Sequence, residues 1–228
     1  MNHKSSNKGL IGRVLLAFIP GILGIGALFF LPAGTFNYWQ AWLYLGILCL
    51  LTAVVGIYLF LKDPDALRRR LLRREREPSQ KKIVNFSGLF LVAAFVLPGL
   101  DKRWGWSNVP VWVVLLADGL TILAFLLFLL VMRENSYGSR IITVENGQRV
   151  ISTGPYAVVR HPMYVAMLII YLAEPLALGS YWAILPALGM IPVFVARIRN
   201  EETLLKRDLP GYEAYCDEVK YRLLPGIW

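Results

Sequence analysis

The sequence predicts an all-α integral membrane protein with about six transmembrane helices, and two observations carry that prediction. Of its 228 residues, 57% are hydrophobic, and the mean hydropathy is +0.53. Both values are too high for an ordinary soluble domain of this length. Several apolar runs also approach the roughly 20 residues that a helix needs to cross the hydrocarbon core, with charged clusters between them. One compact membrane unit is therefore expected.

The apolar runs define the expected spans in order. The first could also be a signal peptide, but it is long and no small-residue cleavage site follows, so a span is favoured. An uncharged loop, 32–37, makes the first two spans a hairpin. The last two runs have only about 16 residues each and predict a helical hairpin broken at Gly179 and Ser180. The predicted spans are residues 11–31, 38–61, 83–100, 111–132, 162–178 and 181–196.

Basic residues set the expected orientation. They are in excess at the N-terminus, in 62–82, in 133–160 and in the tail, which six crossings place on one side. The positive-inside rule makes that side cytoplasmic, with both termini there; only Lys102 and Arg103 oppose it. The basic loop 62–82 is interpreted as an orientation signal, with contact to anionic lipid as the alternative. The net charge of +9 thus indicates lipid headgroups and no nucleic acid.

One polar cluster lies at the predicted start of the fifth span, after turn signals at the glycines 138, 147 and 154. His161, one of only two histidines, precedes Pro162, which suits the first turn of a helix. The free N–H groups of that turn favour an anionic group, and Tyr164 can converge with His161 on one ligand. On chemistry alone, an equal alternative is that Arg160, His161 and Tyr164 only anchor a helix end at the headgroups.

A second polar cluster follows the last apolar run. Arg197 and Glu201 are spaced i, i+4 and share one helix face. As an isolated pair they would form a solvated salt bridge of little energetic weight. Because the first cluster is one hairpin away, both clusters are expected at the same membrane face. There a carboxylate could hold a ribose hydroxyl or an amino group, and an arginine a substrate carboxylate.

Several kinds of site are excluded. One non-terminal histidine without cysteine partners rules out a conventional zinc site, so no metal is expected. Cys49 and Cys216 lie in an apolar run and in the tail, which makes a disulfide unfavourable. The sequence has no nucleophile elbow, no Rossmann fingerprint and no P-loop. The lack of a visible internal repeat disfavours a transporter built from duplicated halves.

Five motifs in this order, over about 148–225, resemble the integral-membrane methyltransferases of the isoprenylcysteine carboxyl methyltransferase and phospholipid methyltransferase superfamily. They are Thr153-Gly154-Pro155-Tyr156, Arg160-His161-Pro162-Met163-Tyr164, Arg197 with Glu201-Glu202, Gly211-Tyr212-Glu213-Ala214-Tyr215, and Arg222-Leu223-Leu224-Pro225. The resemblance implies a four-helix membrane region, 1–132, and a cofactor-binding region, 133–228, with a cytoplasmic tail. It also implies S-adenosylmethionine as the cofactor.

Site residues follow from the same resemblance. Arg197 would be the catalytic residue facing the substrate carboxylate or polar head. Tyr212 and Tyr215 transfer less securely, because the alignment needs a one-residue gap before them. Glu174 departs from the small neutral residue expected there, and an ionisable group at that depth is a candidate substrate ligand. The alternative is that it pairs with an arginine or caps a helix break at Pro175. The implied cofactor-binding residues are Gln148, Arg149, Val150, Ile151, Tyr156, His161, Pro162, Met163, Tyr164 and Glu201.

The expected function is S-adenosylmethionine-dependent methylation of a lipophilic or lipidated acceptor taken from the bilayer, with an isoprenylcysteine-type carboxylate favoured. An amine acceptor would need a base, and Glu201 or Glu202 would be the candidates. One alternative is an NADPH-dependent sterol or enoyl reductase, which shares the His-Pro-x-Tyr turn and could use Arg149 and Arg160 for the extra phosphate. The other alternative is a non-enzymatic lipid-binding membrane protein.

Overall fold

The computed structural model describes residues 3–71, 78–137 and 147–228, with side chains described for 9–71, 87–137 and 147–228. Within these ranges the chain forms eight α-helices, one 3₁₀ turn at Gly154–Ala157 and no strand, which confirms the all-α prediction. The predicted turn at glycine 138 and the charged residues 73–77 lie outside the described residues. The helices are α1 His3–Ala33, α2 Trp39–Lys62, α3 Pro64–Arg70, α4 Pro78–Trp104, α5 Val111–Glu134, α6 Pro162–Ala177, α7 Ile184–Asp208 and α8 Tyr212–Glu218.

Three of the described helices are long and apolar enough to cross a membrane: Gly9–Ala33 within α1, all of α2 and all of α5. Their outer faces are apolar and uncovered; Leu16 is 75% exposed and Trp112 is 69% exposed. A surface of this kind is suited to lipid contact. α6 is a shorter apolar helix. The membrane character is therefore confirmed, while the number of six spans stays a prediction.

Several helix boundaries differ from the sequence prediction. The basic segment 62–82 is not a simple loop, since it contains α3 and the first turns of α4. α3 begins because Pro64 occupies its first turn and the Asp63 carboxylate accepts a hydrogen bond of 2.9 Å from the Ala66 N–H. α1 also starts well before residue 11. Polar residues therefore extend helices that the hydropathy pattern had confined to apolar runs.

The predicted hairpin of α6 and α7 is present. Gly179 adopts φ +73° between the two helices, and the Ser180 N–H donates to the Pro175 carbonyl at 2.8 Å. α7 then continues without a break from its apolar half into the charged residues 197–208. This continuity rigidly connects Arg197 and Glu201 to the membrane helix.

The two ends of the bundle have separate cores. At one end, apolar side chains from α1, α2, α3 and α5 pack with Tyr156 and Met163. At the other end, Asp101 is 1% exposed and accepts hydrogen bonds from the Ser107 N–H at 2.7 Å and from the hydroxyls of Ser107 and Ser180. This contact joins the α4–α5 loop to the α6–α7 turn. The candidate site lies at the first end, beside Tyr156 and Met163.

Candidate functional site

A buried carboxylate, Glu202, connects α7 to the polar cluster at the start of α6. Its Oε1 accepts from Arg160 Nε at 2.8 Å and lies 3.3 Å from His161 Nε2. Its Oε2 accepts from Arg222 Nε at 2.8 Å. Glu202 and His161 are 4% and 5% exposed, so these charge-assisted bonds form away from water. Three segments that are distant in sequence therefore meet at one side chain.

Arg160 also anchors the C-terminal tail. Its Nη1 donates to the carbonyls of Cys216, Val219 and Lys220 at 3.3, 2.9 and 3.2 Å. Its backbone N–H donates to the Tyr221 carbonyl at 2.9 Å, and the His161 N–H donates to the Arg222 carbonyl at 3.0 Å. The tail is thereby fixed against the start of α6. The Nε and Nη1 groups of Arg160 are therefore engaged within the protein, and the side chain is buried.

The Glu202 carboxyl is held ionised. Burial alone would raise its pKa, but the hydrogen bonds from His161 and Arg222 and the charges of His161 and Arg160 outweigh burial and lower the pKa to about 2. A carboxyl with this pKa and three partners is a poor proton acceptor at neutral pH. Glu202 is therefore a structural centre, and of the two candidate bases only Glu201 remains.

Glu201 points to a second, more open set of groups. The Tyr164 hydroxyl donates to Glu201 Oε2 at 2.7 Å and accepts from Arg197 Nε at 3.0 Å. Tyr164 is 4% exposed and packs edge-on against Phe194, whereas Arg197 and Glu201 are half-buried. The described residues give Glu201 Oε1 no hydrogen bond. The predicted meeting of the two clusters thus occurs through Tyr164.

The residues 148–151 and Tyr156 line the neighbouring surface. Val150 and Tyr156 pack on a cluster of Leu209, Tyr212 and Tyr215. The Tyr156 carbonyl accepts from the Tyr215 hydroxyl at 2.8 Å, and its own hydroxyl accepts from Asn135 Nδ2 at 2.9 Å. Burial raises the Tyr156 pKa to about 12, so its hydroxyl stays protonated. Of the segment 148–151, Arg149 is exposed and the other three residues are half-buried.

The first turn of α6 offers fewer free N–H groups than expected. Pro162 is at its first position, as predicted, but His161 N–H bonds the tail and Tyr164 N–H bonds the His161 carbonyl at 3.0 Å. Among the described residues only the Met163 N–H of this turn has no hydrogen bond. The turn therefore has fewer free donors than the sequence predicts, because the tail and a tight first turn use them, and the binding of an anionic group there stays a prediction.

One buried polar atom near the site has no partner. The Tyr212 hydroxyl lacks a hydrogen bond within the described chain, although Tyr212 is 4% exposed. Burial raises its pKa, and the nearby charge of Glu202 raises it further, so the hydroxyl keeps its proton. A buried unsatisfied hydroxyl is costly unless a ligand bonds it. With the open oxygen of Glu201 and the Met163 N–H, the site offers donors and acceptors that fit the hydroxyls, ammonium and carboxylate of S-adenosylmethionine.

Glu174 lies elsewhere. It is 1% exposed near the far end of α6, about 18 Å along the helix from Pro162 at 1.5 Å per residue. Its Oε1 has no hydrogen bond among the described residues. Both oxygens of Asp118 on α5 share this condition. The structure does not bring Glu174 to the polar cluster, and its role as a substrate ligand stays a prediction.

The fold and the cluster together define a helical membrane protein with a polar site at one end of its bundle. Residues 112–209 match the family model of the phospholipid methyltransferases, from the start of α5 to just past α7. The matched segment contains all of the residues around Tyr164 and Glu202 except Arg222 and the tail. The match confirms the resemblance drawn from the motifs: over this segment the chain is similar to the phospholipid methyltransferases.

The whole chain also resembles a solved structure. The eukaryotic intramembrane Ras methyltransferase ICMT, an isoprenylcysteine carboxyl methyltransferase, superposes with a TM-score of 0.57 over 99% of this chain and 90% of that chain. At 16% identity the likeness shows a shared fold. No curated protein matches the chain significantly. Neither match favours the reductase or the non-enzymatic alternative.

Two residues of the site, Arg222 and Asn135, had no assigned role in the sequence prediction, and Arg160 had a different one. Arg222 was part of a motif, and Asn135 carried no signal. Arg160 was offered as a headgroup anchor or a phosphate ligand, whereas it binds Glu202 and the tail. Its engagement also removes one of the two arginines on which a second phosphate of NADPH was expected to rest. Only the spacing of Arg160, Glu202 and Arg222 within the motifs could have indicated the network.

Proposed function

We propose that this protein is a membrane-embedded methyltransferase that uses S-adenosylmethionine to methylate a lipophilic acceptor, with an isoprenylcysteine-type carboxylate as the favoured acceptor. The observation that carries the proposal is the Arg197–Tyr164–Glu201 chain, inside the family-matched segment and beside the unpartnered Tyr212 hydroxyl. We also propose that the protein crosses the membrane six times, with both termini in the cytoplasm.

Each polar group has a distinct task. Glu201 accepts hydrogen bonds from a hydroxyl or amino group of the cofactor through its open oxygen. Arg197 holds the acceptor carboxylate, and its bond to Tyr164 fixes the direction of its guanidinium. Bound S-adenosylmethionine would supply an electrophilic methyl group; its transfer to an acceptor oxygen would break the sulfur–methyl bond and leave S-adenosylhomocysteine. Because a carboxylate is already nucleophilic, these residues need only align it and need not move a proton.

The surroundings of Tyr164 keep water out. Tyr164 belongs to an apolar cluster with Met190, Val193, Phe194 and Ile198, which are all at least nine-tenths buried. Charge is neutralised when a sulfonium methylates a carboxylate, so a dry site favours that step over bulk water. An amine acceptor would require Glu201 as its base, since Glu202 is held ionised by its cations.

The test is calorimetric titration of the purified protein with S-adenosylhomocysteine, with NADPH in parallel. We expect saturable micromolar binding of the first ligand alone. Glu201→Ala and His161→Ala should weaken it strongly, Arg197→Ala should chiefly lower turnover, and the exposed Glu218→Gln is the control. Retained binding in both of the first two variants would contradict the site, and binding of NADPH alone would indicate a reductase.

A further inference from the structure

Three consecutive arginines end α3, and their side chains have different partners. Arg68 Nη1 donates to Asp65 Oδ1 at 2.7 Å, at the exposed side of the helix. Arg69 donates twice to the Ser136 carbonyl, at 2.7 and 3.2 Å, and lies 3.9 Å from an oxygen of Asp63. Arg68 and Arg69 both bind oxygen acceptors, which is consistent with a structural role for these two side chains. Arg70 has no oxygen acceptor among the described residues.

Arg70 turns inward onto sulfur and an aromatic ring. Its Nε lies 2.9 Å from the Met132 Sδ and its Nη2 lies 3.1 Å from the Met163 Sδ. Its guanidinium carbon is 4.7 Å from the centre of the Phe128 ring. These three side chains belong to or pack on the apolar core at this end of the bundle. The described chain gives Arg70 no carboxylate and no carbonyl oxygen as a partner.

These contacts do not satisfy a guanidinium. A thioether is a weak acceptor, and a guanidinium carries five N–H donors in a planar fork. Two donors reach sulfur, and the others have no acceptor among the described residues. Burial lowers the pKa of Arg70 to about 10, which still leaves it charged at neutral pH. An arginine held this way costs free energy unless an oxyanion compensates it.

The position of Arg70 connects it with the proposed site. Met163, on whose sulfur it rests, follows Pro162 at the start of α6 and carries the one unbonded N–H of that turn. The positive end of the α6 dipole therefore adds to the charge of Arg70. Tyr156 is close enough that Arg70 lowers its pKa while Glu201 raises it, so all three share one neighbourhood.

We propose that Arg70 is an oxyanion-binding residue of the site, which takes a carboxylate or phosphate of a bound ligand together with the Met163 N–H. The inference rests on the proposed function and extends the site to the N-terminal half of the chain. The oxyanion can come from the methionyl end of the cofactor or from the polar head of the acceptor. Arg70 thereby gives the basic segment a binding role besides orientation.

The test uses two pairs of probes, and in each pair one member lacks the carboxylate. S-Adenosylhomocysteine is compared with 5′-methylthioadenosine, which lacks the amino acid, and N-acetyl-S-farnesylcysteine is compared with its methyl ester. Binding is measured by calorimetry in detergent for the wild type, Arg70→Gln and Arg70→Lys. Arg68→Gln is the matched control, because it removes one arginine charge from the same helix without touching Met163. Melting temperature checks that each variant is folded.

The expected result is that Arg70→Gln weakens the carboxylate member of one pair by about 10- to 100-fold and leaves its uncharged member unchanged. Arg70→Lys should weaken it less, and Arg68→Gln should not. Loss in the first pair identifies the cofactor as the source, and loss in the second pair identifies the acceptor. Equal affinities for all four probes in wild type and Arg70→Gln would overturn the inference.

The two proposals can fail separately. If the wild type does not bind S-adenosylhomocysteine but still distinguishes the farnesylcysteine carboxylate from its ester through Arg70, the cofactor assignment fails and the oxyanion site stands. If the wild type binds S-adenosylhomocysteine and Arg70→Gln binds every probe as the wild type does, the methyltransferase stands and the oxyanion site fails.

Discussion

Replacing Glu202 with glutamine should reveal how much the buried ion network stabilises the protein. The ordinary pKa of a glutamate is 4.5 and that of Glu202 in the folded protein is about 2. A difference of this size corresponds to about 3 kcal/mol of stability at neutral pH. It agrees with the order of magnitude found when one partner of a buried ion pair is removed. Glu202→Gln should therefore unfold about 3 kcal/mol more easily at pH 7.

The pH dependence follows from the sign of the shift. The folded pKa is lowered, so the contribution is fully present above the unfolded pKa and is lost as the pH falls from 4.5 towards 2. The measurement is reversible unfolding in mixed dodecyl maltoside and sodium dodecyl sulfate micelles, followed by circular dichroism at several pH values. The difference between wild type and Glu202→Gln should be largest above about pH 5 and shrink towards pH 2.

Glu218→Gln is the control, since this carboxylate is exposed in the same tail. It should leave stability within about 0.5 kcal/mol of the wild type at neutral pH. The reasoning is refuted if Glu202→Gln is as stable as the wild type at pH 7. It is also refuted if the difference between them stays constant down to pH 2.

Three further changes test the packing and the site. Gly99→Ala should destabilise the protein by about 1–3 kcal/mol in the same unfolding assay, since its Cβ would lie 2.5 Å from the Phe29 carbonyl oxygen. Gly119→Ala is the control, because its Cβ would meet nothing within 4 Å, and it should not destabilise the protein. Equal effects of the two substitutions would contradict the close packing of α4 on α1 at Gly99. Tyr212→Phe should not lower the melting temperature but should weaken S-adenosylhomocysteine binding about 5-fold, because the hydroxyl has no partner among the described residues. A lower melting temperature would indicate an internal hydrogen bond. Asp101→Asn should cost about 1.5–3 kcal/mol of unfolding free energy by weakening the bonds that join two loops, and an unchanged unfolding curve would exclude that role.

Hydropathy located the membrane helices well where charge changes abruptly. α2 and α5 begin and end within two residues of their predicted bounds, because polar or turn-forming residues border both apolar runs. α3 was missed because a short helix rich in charge has no apolar periodicity. Its signals were local: Asp63 as the capping residue and Pro64 in the first turn. A capping residue and a proline alone do not predict a helix, so these signals are useful only where other evidence already indicates one.

The site was predictable only in part, for a geometric reason. The i, i+4 spacing placed Arg197 and Glu201 on one helix face, and Tyr164 does join them. Glu202 is one residue further on and therefore turned about 100° around the helix axis, towards different partners. Those partners, Arg160 and Arg222, are 42 and 20 residues away in sequence. Pairings at such separations depend on how the elements pack, which spacing alone does not determine.

The dependence of Glu202 on Arg222 also links the tail to the order of synthesis. Before the tail is made, Glu202 on α7 can contact only Arg160 and His161 at the start of α6. The second arginine and the carbonyls that hold Arg160 are supplied by the tail, which follows α7 in the chain. Glu202 therefore gains its second arginine only when residues 216–222 pack against α6 and α7, so the packing of the tail and the ionised carboxylate stabilise each other.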